Sequence, residues 1–211
     1  MAIDDLLDEH EQGERVRTWL RDNAAGLIGG LALGLLLIWG WRWWQAQRVQ
    51  QSMQAGTQYQ ALIDTLQSGK LAQAQAQVEA LPAGTYDTLA ALALAEAQLA
   101  AGQRDAAIAT LRAAKPDGAE TAAIVEQRLA RLLIDAGKAK EALALLPGDS
   151  RDPETLQVRG DAFSALGQKP QAQAAYSQAL TGLEVGSPQR NVIELKLSEV
   201  GGAPAQPEAR S

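Results

Sequence analysis

Arg159-Gly-Asp-Ala-Phe-Ser-Ala-Leu-Gly167-Gln-Lys-Pro-Gln-Ala172 is the stretch whose reading decides the fold. Gly160 and Gly167 lie seven residues apart, Ala172 follows five later, and Ala175, Tyr176 and Ala179 continue at helical spacing. The same marks recur upstream. Gly69, Gly102, Gly137 and Gly167 each end an apolar run, at intervals of 33, 35 and 30 residues, a period that signals a repeat array. Five residues after each comes Ala74, Ala107, Ala142 or Ala172; nine after comes Val78, Leu111, Leu146 or Tyr176. Ala95, Ala130 and Gly160 stand seven before the last three glycines, and Pro82, Pro116 and Pro147 close the first three units. Each mark has a physical reason. A glycine just past a helix adopts the left-handed conformation that ends it. Small residues let two antiparallel helices approach closely, larger ones fill the space between units, and proline cannot continue a second helix. The expected fold is all-α, a solenoid of helical hairpins.

A second signal precedes the repeats. Asn23 to Trp41 is nineteen residues without a charge, and Trp39, Trp41, Trp43 and Trp44 crowd its far end around Arg42. As a helix the run is roughly 28 Å long, close to the roughly 30 Å hydrocarbon core of a bilayer. Trp belongs at the membrane–water interface, and an Arg there extends its head outward. The reading is one transmembrane helix over 23–44. A cleaved signal peptide does not fit: the first 22 residues hold seven acids, and bulky Trp occupies the cleavage region. Arg15, Arg17 and Arg21 precede the span, while Arg42 and Arg48 follow it, which places a short tail (1–22) in the cytoplasm. Ile3, Leu6, Leu7, Val16, Trp19 and Leu20 suggest an amphipathic helix in that tail. A translocated domain is expected over 45–198, and the Gly/Pro/Ala-rich end, 199–211, reads as disordered. Gly26, Gly30 and Gly34 share one helix face, a small-xxx-small pattern for contact with another membrane helix.

Chemistry is excluded more firmly than partners are. The chain has no Cys, which rules out thiol chemistry and thiolate metal sites; its one His, His10, lies in the acidic tail, and no His/Asp/Glu cluster has metal-ligand spacing. No phosphate loop, nucleotide fingerprint or paired-carboxylate constellation occurs. The net charge is −6, and residues 45–211 carry 15 Lys+Arg against 18 Asp+Glu, so no basic stripe suits nucleic acid. The expectation is a non-enzymatic protein without a cofactor.

The turns Gly102-Gln-Arg-Asp-Ala-Ala107, Gly137-Lys-Ala-Lys-Glu-Ala142 and Gly167-Gln-Lys-Pro-Gln-Ala172 resemble those of the tetratricopeptide repeat. Leu62 in the first unit and Asp149 in the third depart from its pattern. Aligned on that repeat, Glu96, Gln127, Arg131, Gln157 and Asp161 fall on first-helix positions that commonly line a peptide groove. With the acidic tail, the anchor and the Gly40-Trp41-Arg42-Trp43-Trp44 exit, nearly the whole chain resembles the YfgM-like family, the ancillary subunit of the bacterial SecYEG translocon. Arg128-Leu-Ala-Arg131 and Arg159-Gly-Asp-Ala162 look like that family as well. The resemblance implies an inner-membrane protein with a periplasmic domain. It implies association with SecYEG and with the membrane-anchored periplasmic chaperone PpiD, assistance to exported polypeptides, and restraint of an envelope stress-response regulator. A generic repeat scaffold for an unrelated envelope complex is the competing reading.

Overall fold

A chain reversal after every first helix organises the molecule. The structure, a computed structural model, describes the backbone of residues 2–203 and the side chains of 17–26 and 28–203. The amphipathic pattern expected from Ile3 to Val16 and the final part of the tail, 204–211, lie outside these. Among the described residues all regular structure is helical: α1 (Ala2–Gln67), α2 (Leu71–Ala80), α3 (Thr85–Ala100), α4 (Arg104–Ala113), α5 (Ala119–Asp135), α6 (Ala139–Leu145), α7 (Pro153–Ala165), α8 (Lys169–Thr181) and α9 (Pro188–Glu199). Two compact units result, Met1–Gln54 and Ala55–Ser211.

The second unit follows the spacing rules. Gly69, Gly102, Gly137 and Gly167 sit at φ 71°, 75°, 76° and 71°. At each, the glycine N–H bonds three residues back and the next N–H five back, as in Gly102 to Leu99 (2.9 Å) and Gln103 to Gln98 (2.8 Å). These bonds satisfy carbonyls that the ended helix leaves unpaired. The chain then folds back, and Ala74, Ala107, Ala142 and Ala172 are wholly buried where second helix meets first. Ala95, Ala130 and Gly160 are buried on the facing side, while the first unit places the larger Leu62 there, also wholly buried. Leu111, Leu146 and Tyr176 fill the core between units as the spacing requires.

Helix starts are held by side chains where loops turn. Asp152 caps α7, its Oδ2 accepting from the Thr155 N–H (2.8 Å) and hydroxyl (2.8 Å), with Pro153 beginning the helix. Ser187 caps α9 in the same manner, ahead of Pro188. Helix ends are held by arginines: Arg159 donates to the Leu146 carbonyl after α6, and Arg190 to those of Leu180 in the last turn of α8 and Leu183 just past it. These are charge-assisted bonds to otherwise orphaned acceptors.

The far end of the repeat domain differs from the sequence expectation. Glu199 closes α9, and Val200 is buried with Leu156, Ile193 and Leu197, so packing continues past residue 198. Gly201 has φ 85°; its N–H donates to Ser198 and that of Gly202 to Leu197. This is the turn that ends every first helix, and Gly201 follows Gly167 by 34 residues. α9 is therefore the first helix of a fifth unit, acting as the cap.

In the first unit the expected span is not seen as one straight helix. No single helix among the described residues is long and apolar enough to cross a membrane; the segments Arg17–Gly26 and Ile28–Gln67, bent by 45°, meet the test of length and composition together. Glycine is one of few recognised causes of a sharp helix bend, and Gly26, Gly29 and Gly30 flank this one.

Two outcomes follow for stability. A Cβ at Gly160 would stand 2.4 Å from Tyr176 Cε1, too close for any real contact. Gly160→Ala should therefore destabilise by about 1–3 kcal/mol through overpacking, outweighing the gain of up to about 1 kcal/mol from removing a helical glycine. Gly148→Ala, where the nearest atom is 3.8 Å away, should be near neutral; thermal melts of the detergent-solubilised chain compare the two. Separately, Gln127→Ala should cost about 1–3 kcal/mol by stripping Asp152 and Thr155 of a buried donor, measured as a lowered urea midpoint.

Candidate functional site

In the first unit the residues from Ile28 to Trp44 present their apolar surface outward. Ile28, Leu31, Leu33, Leu35, Leu36, Leu37 and Ile38 are exposed, and Trp39, Trp41 and Trp43 are each more than 60% exposed. An apolar surface of this extent marks an interaction with lipid or with another protein. Trp41 and Trp44 pack with ring centroids 5.5 Å apart and planes tilted by 48°, and the Arg48 guanidinium lies 3.7 Å from the Trp44 ring. The cluster thus combines broad aromatic faces with a cation held over one of them. Among the described residues, a Cβ at Gly26, Gly30 or Gly34 would meet nothing within 4 Å.

In the repeat unit the five expected groove residues separate into two groups. Glu96 is exposed on α3. The other four are engaged between units. Gln127 is 5% exposed, and its Nε2 donates to Asp152 Oδ2 (2.8 Å) and Thr155 Oγ1 (2.9 Å), which seals α5 against α7. It belongs to the interior of the interface rather than to a groove surface. Arg131 donates to Glu154 Oε1 at 2.8 Å, and Gln157 accepts from Gln189 at 3.4 Å. Asp161 receives Lys196 Nζ on both oxygens at 2.8 Å and the Tyr176 hydroxyl at 2.7 Å. Burial, and then the hydrogen bond and charge of Asp161, push the Tyr176 phenol well above its usual range, so it remains a neutral donor. On α5 and α7, first-helix polar residues chiefly tie one unit to the next.

Open space lies elsewhere, on the second-helix side. α2 and α4 both pack on α3, and between them is a cavity of about 670 Å³. Ala106, Ala109 and Ala113 of α4 form one wall, Val78 and Leu94 supply apolar floor, and Glu79, Asp87 and Lys115 carry charge at its lining. Alanines three and four apart share one helix face and are too short to reach α2. Gln98 also lines the cavity, and its Oε1 accepts from Thr110 Oγ1 at 2.8 Å. Sequence reading missed this site; the signal was the alanine triplet on α4, which the repeat does not use for packing. Among the described residues no group of three or more His, Cys, Asp or Glu converges as metal ligands do.

Comparison with known proteins agrees with this architecture. The tetratricopeptide repeat-like domain family matches residues 17–202. The ancillary SecYEG translocon subunit of Escherichia coli (strain K12) is 28% identical over 176 residues, covering 80% of this chain and 85% of that protein. The protein of the same description from Haemophilus influenzae (strain ATCC 51907 / DSM 11121 / KW20 / Rd) is 28% identical over 181 residues, covering 82% and 89%. With its glycine-turned helical hairpins and a family match over most of its length, the chain belongs to the tetratricopeptide repeat-like domain family.

Proposed function

We infer that this protein is a non-enzymatic accessory subunit of the Sec translocon, anchored in the bacterial inner membrane. The observation that carries the reading is the outward-facing apolar run from Ile28 to Trp44, joined in one chain to a repeat domain. Among the described residues none covers that run, and a bilayer or a membrane partner satisfies it. The relatives' description as ancillary SecYEG translocon subunits, along most of both chains, supports the partner. In this reading residues 23–44 cross the membrane as a bent span, 1–22 stay in the cytoplasm, and the domain from 45 works in the periplasm. Trp39, Trp41, Arg42, Trp43 and Trp44 hold the periplasmic interface, and Gly26, Gly30 and Gly34 pack against a membrane helix of the translocon. The repeat domain engages the chaperone PpiD and exported polypeptides, with Glu96, Gln127, Arg131, Gln157 and Asp161 marking the first-helix face, where Glu96 is the freely exposed member. Restraint of an envelope stress-response regulator belongs to the same role.

Two experiments test the membrane half. Alkaline phosphatase fused after Ser211 should be active; an inactive fusion in an intact membrane fraction contradicts the orientation. Changing Gly26, Gly30 and Gly34 together to Leu adds bulk at an unoccupied face and makes the span more hydrophobic. Insertion should persist while a photocrosslink from Leu33 to a neighbouring membrane protein weakens several-fold. An undiminished crosslink would show the glycines to be incidental.

A further inference from the structure

The α2–α4 cavity lies on the side of the repeats opposite to the first-helix face, and its features converge on one kind of ligand. Its volume, about 670 Å³, is within the roughly 300–1,000 Å³ usual for binding pockets. Apolar lining from Val78, Leu81, Leu94 and the α4 alanines favours small apolar side chains. Gln98 is buried over most of its surface, and the part that stays open lines the cavity. Thr110 occupies the Oε1 end at 2.8 Å and fixes the amide plane; among the described residues the Nε2 end meets no acceptor. That end is open to the cavity, so a carbonyl arriving there gains a hydrogen bond of about 0.5–1.5 kcal/mol. Helical peptides use their carbonyls internally, whereas an extended segment offers one at every second residue on each side.

Charge selects further. Glu79 receives the Gln75 amide at 3.3 Å, and Asp87 receives the Gly84 N–H at 3.2 Å and the Thr88 hydroxyl at 3.3 Å. Both carboxylates line the cavity, and among the described residues neither is paired with a cation; one ammonium, Lys115, accompanies them. The lining is therefore net negative and its carboxylates are held in place. We propose that the α2–α4 cavity binds a short extended polypeptide segment in which a Lys or Arg follows small apolar residues. The main chain accepts from Gln98, the small side chains lie against Ala106, Ala109 and Ala113, and the cation meets Glu79 and Asp87. This assignment holds whether or not the first-helix face binds polypeptide, and it does not depend on the Sec association.

The test uses the full chain in detergent micelles and fluorescein-labelled synthetic nonapeptides read by anisotropy. Four are compared: an extended Ala/Val/Pro peptide with two Lys, the same with Glu for Lys, the same with neutral Gln, and a helix-stabilised Lys peptide. The extended Lys peptide should bind best and saturably. Ala109→Trp, which fills the cavity from an exposed position, should weaken it about tenfold or more. Glu79→Lys, on an exposed side chain, should weaken the Lys peptide several-fold and leave the Gln peptide unchanged. Thermal melts matching the wild type confirm that both variants fold. Absence of saturable binding, binding unaffected by both substitutions, or preference for the helical or the acidic peptide would each overturn the proposal.

Discussion

A backbone conformation that glycine adopts at little cost, φ between 71° and 76° at Gly69, Gly102, Gly137 and Gly167, is what the repeat domain depends on. Any other residue there pays roughly 1–2 kcal/mol for the left-handed turn. Each glycine closes a first helix, satisfies its last carbonyls and sends the second helix back along it. Only after that reversal can Ala74, Ala107, Ala142 and Ala172 be buried completely, because close helix approach leaves no room for a larger side chain. Stacking follows from the hairpins, with Leu111, Leu146 and Tyr176 buried in the core they share.

What was legible in the sequence is what local chemistry demands. Turn glycines and the alanines five residues later are required by backbone geometry within one hairpin, so their spacing exposes them. Gly201 obeys the same rule, but the Gly-Gly-Ala-Pro composition around it reads as a tail, and composition outweighed the 34-residue interval. The groove residues illustrate the opposite limit. Periodicity correctly assigns Gln127, Arg131, Gln157 and Asp161 to first helices, yet their partners Asp152, Glu154, Gln189 and Lys196 lie 23 to 35 residues away. Those pairings are set by how one unit stacks on the next, which no spacing within a unit reveals. The α2–α4 cavity was hidden for a related reason: an alanine face reads as helix propensity until its neighbour is seen to stand clear of it.

The two units of the chain do different physical work. In Ala55–Ser211, charged bonds are spent on closure: Arg159 and Arg190 cap helix ends, and Lys196 with Tyr176 fastens the last helix through Asp161. On α5 and α7 the first-helix polar groups are so engaged, whereas an open cavity lies between α2 and α4. In Met1–Gln54 the reverse holds. Leucines, isoleucines and tryptophans from Ile28 to Trp43 are exposed among the described residues, and a surface of that kind in water would aggregate. A membrane and its resident helices would resolve this in the proposed role, where the bend beside Gly26 would present backbone rather than side chains to a neighbour.

The central claim is that the apolar helix brings the repeat domain to the translocon. The most direct measurement purifies the tagged chain from gently solubilised membranes and quantifies SecY in the eluate, alongside a version whose residues 23–44 are replaced by an unrelated single membrane span. The account predicts SecY in stoichiometric proportion with the native chain and its loss with the replacement, although both versions remain in the membrane. Absence of SecY from the native eluate, or equal recovery with both, would contradict it.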